Sequence, residues 1–249
     1  MRATLWGIDH EELGPIASAA AGTGVGVAIT RGRFPKRYRY EDPNEDAVAA
    51  VAGPRATLLV VADGHNGATA SHVAVQALLN AIGGDPPDDF GDQEWLDLFA
   101  EVNDEVMAAK GIGAPHPASN TVLVAALASP GRLSWGAVGD SALVVARPGA
   151  DRGRQLNTEA MRFLGQPMSR RGVKGSVSRG TFSLEPDDWV ALVTDGLSEF
   201  VAPLRPADVV PRVLSAAPDP TAQAVAAALV EAACSAGAGD NVAAAVLAP

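Results

Sequence analysis

Apolar residues along this chain fall either into short unbroken runs or into stripes stepped by three and four, and the two patterns separate strands from helices. Runs of the strand type occupy Val25–Thr30, Ala47–Ala52, 56–62, 121–128, 133–138, 142–147, 181–184, 189–194 and 241–247, bounded by Gly, Pro, Asn, Asp or Ser. Gly53-Pro54-Arg55 predicts a hairpin turn, and Ser129-Pro130-Gly131-Arg132 with Gly139-Asp140-Ser141 predicts an antiparallel meander. Glu185-Pro186-Asp187-Asp188 predicts a solvated turn. Over 68–82, Ala70, Ala74, Leu78, Ile82 and Val73, Ala77, Ala81 step by four, which predicts an amphipathic helix ended by Gly83-Gly84. Trp95, Leu98, Phe99, Val102 and Val106 share one face of a second helix over 94–109. Two more helices are predicted near 206–216 and 220–235, the last capped by Asp219 with Pro220 as its first residue. Residues 1–23 carry little pattern and are expected to be an irregular lead-in. Residues 31–44 (RGRFPKRYRYEDPN) are expected to be an exposed basic loop, and 148–180, rich in Gly, Arg and Ser, a small flap.

The order strands, helices, strands, helices, strand shows no repeat and no linker. It predicts one α+β domain over 1–249, a central sandwich of two mostly antiparallel sheets flanked by pairs of helices in four αββα layers. At 249 residues and 47% hydrophobic, the chain can bury a full core. A formal net charge of −10 argues against a duplex nucleic-acid partner, which needs a basic face. No apolar run approaches the roughly 20 residues of a membrane span, and the first residues lack a signal-peptide pattern. Cys234 is the only cysteine, which excludes an intrachain disulfide and a thiolate metal cluster. The expectation is a monomeric cytoplasmic protein with no nucleic-acid or membrane partner.

The chemistry lies at the ends of the apolar runs. Two runs close on Asp-Gly, at Asp63-Gly64 and Asp195-Gly196. Each Gly is expected to turn the chain through positive φ, leaving each Asp at the mouth of a sheet with its carboxylate in reach of solvent. A carboxylate held there needs a cation to offset its desolvation. Asp140, Asp240 and Glu45-Asp46 also lie at strand boundaries. A set of carboxylates with no thiolate cluster and only four His suits Mg²⁺ or Mn²⁺ better than Zn²⁺. Two such ions about 3.5–4 Å apart can clamp an in-line displacement at phosphorus. The plainer alternatives are that an Asp-Gly after a strand only makes a turn, that Asp140 does the same before Ser141, and that His65 merely leads into a helix. His10, His72 and His116 are expected to be structural or solvated.

Asn44-Glu45-Asp46, Asp63-Gly64-His65-Asn66-Gly67, Gly139-Asp140-Ser141, Thr194-Asp195-Gly196-Leu197 and Gly239-Asp240-Asn241 occur in one order along the chain. In that order the sequence resembles the metal-dependent PPM (type 2C) Ser/Thr protein phosphatases of bacterial type, from about Val25 to the end. The resemblance implies a β-sandwich with flanking helices, a binuclear Mn²⁺ or Mg²⁺ centre, and hydrolysis of phosphoserine or phosphothreonine in proteins by a metal-bridged hydroxide, without a phosphoenzyme. It implies that Asp63 bridges both ions, that Glu45 and the Gly64 carbonyl help hold one, and that Asp195 and Asp240 hold the other. Asp46 would orient metal-bound water, and Asp140 with Asp195 would bind a weaker third ion. His65 would protonate the leaving oxygen, work suited to an imidazole near neutral pH. The partner implied is a phosphoprotein substrate of a bacterial Ser/Thr kinase.

The sequence also departs from that pattern. Glu41 stands where an Arg commonly binds the substrate phosphate, Ala142 follows Gly-Asp-Ser in place of Arg, and Glu199 replaces an Asp. The expectation is that Glu41 turns outward and a neighbouring Arg takes the phosphate, with Arg39 first, Arg33 second and Arg37 third, because a guanidinium fork binds two phosphate oxygens at once. A pseudophosphatase or regulatory binding module on the same fold, and a hydrolase of small phosphoesters, remain the alternatives.

Overall fold

The computed structural model describes residues 1–36, 38–198, 204–216 and 219–249. Its strands are β1 Arg2–Trp6, β2 Ala17–Ala20, β3 Val25–Thr30, β4 Ala47–Ala52, β5 Thr57–His65, β6 Asn120–Ser129, β7 Arg132–Val138, β8 Ala142–Ala146, β9 Arg154–Gln155, β10 Ser178–Ser183, β11 Trp189–Val193 and β12 Val242–Leu247. Its α-helices are α1 Thr69–Ile82, α2 Asp92–Ala109, α3 Arg170–Ser176, α4 Pro206–Ser215 and α5 Ala222–Ser235. One sheet runs β1-β4-β5-β6-β7-β10 and the other β2-β3-β12-β11-β8-β9. Every pairing within them is antiparallel.

The unbroken apolar runs follow from burial on both faces. In β5, Leu59 and Val61 point into the layer between the sheets, where they join Val27, Ile29, Val124, Leu143 and Leu192. Leu58, Val60 and Ala62 point the other way, against α1 and α2. In the second sheet Val144, Ala191, Val193 and Ala244 meet α4 and α5. The molecule is therefore an α+β sandwich of four αββα layers. Small residues let these layers approach closely: a Cβ on Gly26 of β3 would lie 2.3 Å from the Gln223 backbone of α5.

Several local expectations are corrected. Residues 1–23 carry edge strands β1 and β2, paired with β4 and β3. They are four or five residues long and only partly buried, too short for an alternation to show. The 148–180 segment contains β9 and α3. Gly172 and Gly175 within α3 lower its helix propensity and hide it in the sequence. The meander stops after β7, because β8 pairs with β11 in the opposite sheet and the link at Gly139 (φ 108°) crosses between them. The cap of α5 is Thr221, whose side chain accepts a hydrogen bond from Ala224 N at 3.2 Å, rather than Asp219. Asp188 is buried in its turn. It accepts hydrogen bonds from Arg147 Nε at 2.6 Å and from Glu185 N at 2.8 Å, which replace the expected solvation. No helix among the described residues is long and apolar enough to cross a membrane.

Candidate metal centre

Strand register brings the acidic motifs together. Ala47 faces Ala62 across β4 and β5, which sets Asp46 beside Asp63. Val193 faces Ala142 across β11 and β8, which sets Asp195 beside Asp140. Carboxylate oxygens of Asp63, Asp140 and Asp195 lie within 4.8 Å of one another. Glu45 and Asp240 join the group through Lys36, whose Nζ is 2.8 Å from Glu45 Oε2 and 3.2 Å from Asp240 Oδ1. Asp46 accepts from Thr194 Oγ1 at 2.9 Å, and that hydroxyl accepts from Ala243 N at 2.8 Å, tying β4, β11 and β12 at one point.

Neither Asp-Gly glycine turns the chain through positive φ, although Asp195–Leu197 forms a 3₁₀ turn. β5 continues through His65, pairing Asp63, Gly64 and His65 with Val122, Thr121 and Asn120. The turn comes later, at Asn66 (φ 60°) and Gly67 (φ 108°). Gly64 is required for close approach instead, since a Cβ there would lie 2.4 Å from the Glu45 carbonyl oxygen. At Gly196 it would lie 1.8 Å from the Asn241 carbonyl oxygen. The carboxylates are mostly buried, with Asp63 1% and Asp195 8% exposed, and Asp195 borders an open cleft with Asp140 and Ser198.

Six acidic side chains so close together are electrostatically costly. Burial first, then the charges of Asp46 and Asp240, hold the Asp63 carboxyl well above the usual range. Burial pushes Asp46 up to about 8, against the opposing pull of Lys36 and the Thr194 hydrogen bond. Burial disfavours the Lys36 ammonium, yet Asp240, Glu45, Asp46 and Asp63 together hold it above the ordinary lysine range. Glu45 Oε1 also accepts from the backbone N–H groups of Gly67 at 2.5 Å, Glu41 at 3.2 Å and Asp42 at 3.3 Å. Asp63 differs: neither of its buried carboxylate oxygens receives a hydrogen bond from an N–H or hydroxyl group among the described residues. Two orphaned oxygens beside Asp140 and Asp195, in an all-oxygen donor set, fit Mn²⁺ or Mg²⁺.

His65 stands beside this group, with Nε2 3.8 Å from Asp63 Oδ2 and the imidazole edge-on to Phe163 at 4.8 Å. Burial lowers its pKa, with the negative charge of Asp240 acting the other way. The arginines expected to take the phosphate have other partners where they are described. Arg33 binds Glu231 on α5 at 2.6 Å. Arg39 is 90% exposed and its partner at 3.2 Å is Glu41, whose own carboxylate faces outward as expected. Arg37 and Glu199 lie outside the described residues. Among the described lysines and arginines, the one in contact with the carboxylates is Lys36. The sequence reading missed it, and Tyr38 with it, because nothing in the run RGRFPKRYRY marks which residues turn inward. Asn241, which receives Glu45 N at 3.0 Å and donates to the Arg31 and Pro43 carbonyls, was visible only as part of its motif.

A family model described as Protein phosphatase 2C matches residues 35–232. The chain belongs to the protein phosphatase 2C family. Solved structures agree with this in fold. The catalytic domain of the serine/threonine protein phosphatase PstP, in complex with two manganese ions, aligns at TM-score 0.69 and 22% identity over 94% of this chain and 99% of that one. The Mycobacterium tuberculosis serine/threonine phosphatase PstP/Ppp aligns at TM-score 0.61 and 24% identity, covering 94% and 98%. Serine/threonine phosphatase Stp1 from Staphylococcus aureus aligns at TM-score 0.71 and 18% identity, covering 96% and 99%. No curated protein sequence matches the chain. As a protein phosphatase 2C member the chain is a protein phosphatase, a hydrolase whose substrates are phosphoproteins.

Proposed function

We propose that this phosphatase removes phosphate from phosphoserine and phosphothreonine with Mn²⁺ or Mg²⁺ bound among Glu45, Asp63, the Gly64 carbonyl, Asp195 and Asp240, and with Asp140 able to join Asp195 at a further ion. The observation that carries this reading is Asp63, buried with both oxygens orphaned beside the carboxylates of Asp140 and Asp195. PstP, a serine/threonine phosphatase of the same fold, holds two manganese ions. When bound, such ions neutralise phosphate charge and make water a stronger nucleophile.

The side chains of the chain supply position and protons. Donors on Glu45 and the Thr194 hydrogen bond on Asp46 fix those two carboxylates before any ligand arrives. His65, partly exposed beside Asp63, is placed to protonate a seryl or threonyl oxygen as it leaves. Burial lowers its pKa while the negative charges of Asp240, Asp140 and Glu45 act the other way, and an incoming phosphate dianion would add to these. The phosphorylated side chains would be products of a protein Ser/Thr kinase.

Phosphothreonine-peptide and p-nitrophenyl phosphate turnover, measured with Mn²⁺ for wild type and His65→Ala, tests this. The variant should lose roughly 10²–10⁴-fold on the peptide and less on the aryl ester, whose leaving group needs less protonation. Equal losses would make His65 structural. No turnover of either substrate by wild type would favour the binding-module alternative, and turnover of the aryl ester alone would favour a small-phosphoester hydrolase.

A further inference from the structure

The two halves of the carboxylate group are unequal. Around Asp63 the oxygens are orphaned, whereas between Glu45 and Asp240 every carboxylate oxygen already has a donor. Glu45 Oε2 receives Lys36, and Oε1 receives three backbone N–H groups. Asp240 Oδ1 receives Lys36 and Asn241 N at 2.7 Å, and Oδ2 receives the Tyr38 hydroxyl. The Lys36 side chain is 1% exposed, and its ammonium lies 5.4 Å from the centre of the Tyr38 ring. A cation already fills this half, and the chain itself supplies it.

We propose that Lys36 is a tethered counter-ion that bridges Glu45 and Asp240, one acid from each of the two ion positions, and that divalent ions drawing on these carboxylates expel it. This rests on the metal-centre reading above. An ammonium 2.8 Å from one carboxylate and 3.2 Å from the other holds oxygens that the two ions would need, and like charges that close repel strongly. The segment that carries Lys36 can move without breaking a sheet, because its described residues from 31 to 44 form neither helix nor strand. Tyr38 moves with it and releases Asp240 Oδ2. Expulsion also brings a cation and a phenol out to the rim of the cleft, where a phosphorylated side chain arrives. The energetic consequence is competition: an ion sees only the fraction of chains whose Lys36 is already out, so its apparent affinity falls by that fraction.

Two measurements on the full chain test this, neither of them relying on activity. The first is acetylation of wild type by acetic anhydride, read by peptide mass spectrometry. The chain has three lysines, so Lys110 and Lys174 serve as internal references. Without metal, Lys36 should be protected relative to both, and millimolar Mn²⁺ should raise its labelling several-fold while theirs stays unchanged. The second is calorimetric Mn²⁺ binding to wild type and Lys36→Met. The variant should bind Mn²⁺ roughly tenfold more tightly or better, as expected when a competing state is removed. If wild type binds two Mn²⁺ while Lys36 stays protected and Lys36→Met has unchanged affinity, Lys36 is a permanent structural cation and the proposal is overturned. If neither chain binds Mn²⁺, the metal centre itself is contradicted, and the proposal with it. Should Lys36→Met fail to fold, the labelling of wild type still decides.

Discussion

Asp63 is the residue on which the site turns. It is buried near Asp46 and Asp240, and its two oxygens receive no hydrogen bond from an N–H or hydroxyl group among the described residues. A buried charge in that position costs stability until something cationic reaches it. Asp63→Asn keeps the shape and removes the charge. In chelator the variant should therefore be more stable than wild type, by about 1 kcal/mol or more, and unfold at a higher temperature, while Mn²⁺ should raise the melting temperature of wild type only. Calorimetry with and without Mn²⁺ reads both effects, and an Asp63→Asn protein less stable than wild type in chelator contradicts the assignment. Asp63 was legible in the sequence because a lone acid closing the run Val60-Val61-Ala62 breaks its pattern. Lys36 was not, since it sits among Arg31, Arg33, Arg37 and Arg39 and nothing in the sequence sets it apart from them. Guanidinium chemistry favours Arg39 and Arg33 for the phosphate, and in the structure the two pair with Glu41 and Glu231.

At the scale of elements, the site depends on how closely segments approach. Gly64→Ala would push a methyl to 2.4 Å from the Glu45 carbonyl, so the backbone between β4 and β5 must shift; about 1–3 kcal/mol should be lost in urea unfolding. Gly84→Ala, with nothing within 4 Å of the new methyl, should change stability by less than about 0.5 kcal/mol. Equal effects at the two positions would refute the close-approach role. The turn before β11 gives a pH test. Asp188 is buried, which by itself raises its pKa, but Arg147 and the Glu185 N–H outweigh this and hold it below 3.8. A depressed carboxylate contributes stability above its unfolded pKa and loses it as pH falls through the folded value. Asp188→Asn should therefore lower the melting temperature at pH 7, and the gap should close below about pH 4; a gap that persists unchanged in acid contradicts the ion pair. Strands such as Val25–Thr30 and Ala47–Ala52 were legible to the residue because both faces are apolar. Edge strands β1 and β2 were not, because they are short and little of either is buried. Helix α3 was hidden by its two glycines.

For the whole molecule, the layers could be read from the pattern and the wiring could not. Apolar runs buried on both faces, alternating with stepped stripes, leave few arrangements besides sheets sandwiched between helix pairs. Which sheet a strand joins depends on partners far along the chain. β8 follows β7 after three residues yet pairs with β11, and this crossing is what brings Asp140 to Asp195. The sandwich thus gathers acids from five separate segments into one buried group that a cation must complete. Turnover of a phosphothreonine peptide after exhaustive chelation, then after millimolar Mn²⁺ is restored, tests that claim most directly, with Asp63→Asn carried in parallel. Wild type should be inactive in chelator and recover with Mn²⁺, and Asp63→Asn should recover little or nothing. Full wild-type turnover in chelator, or near-normal turnover by Asp63→Asn, would contradict it.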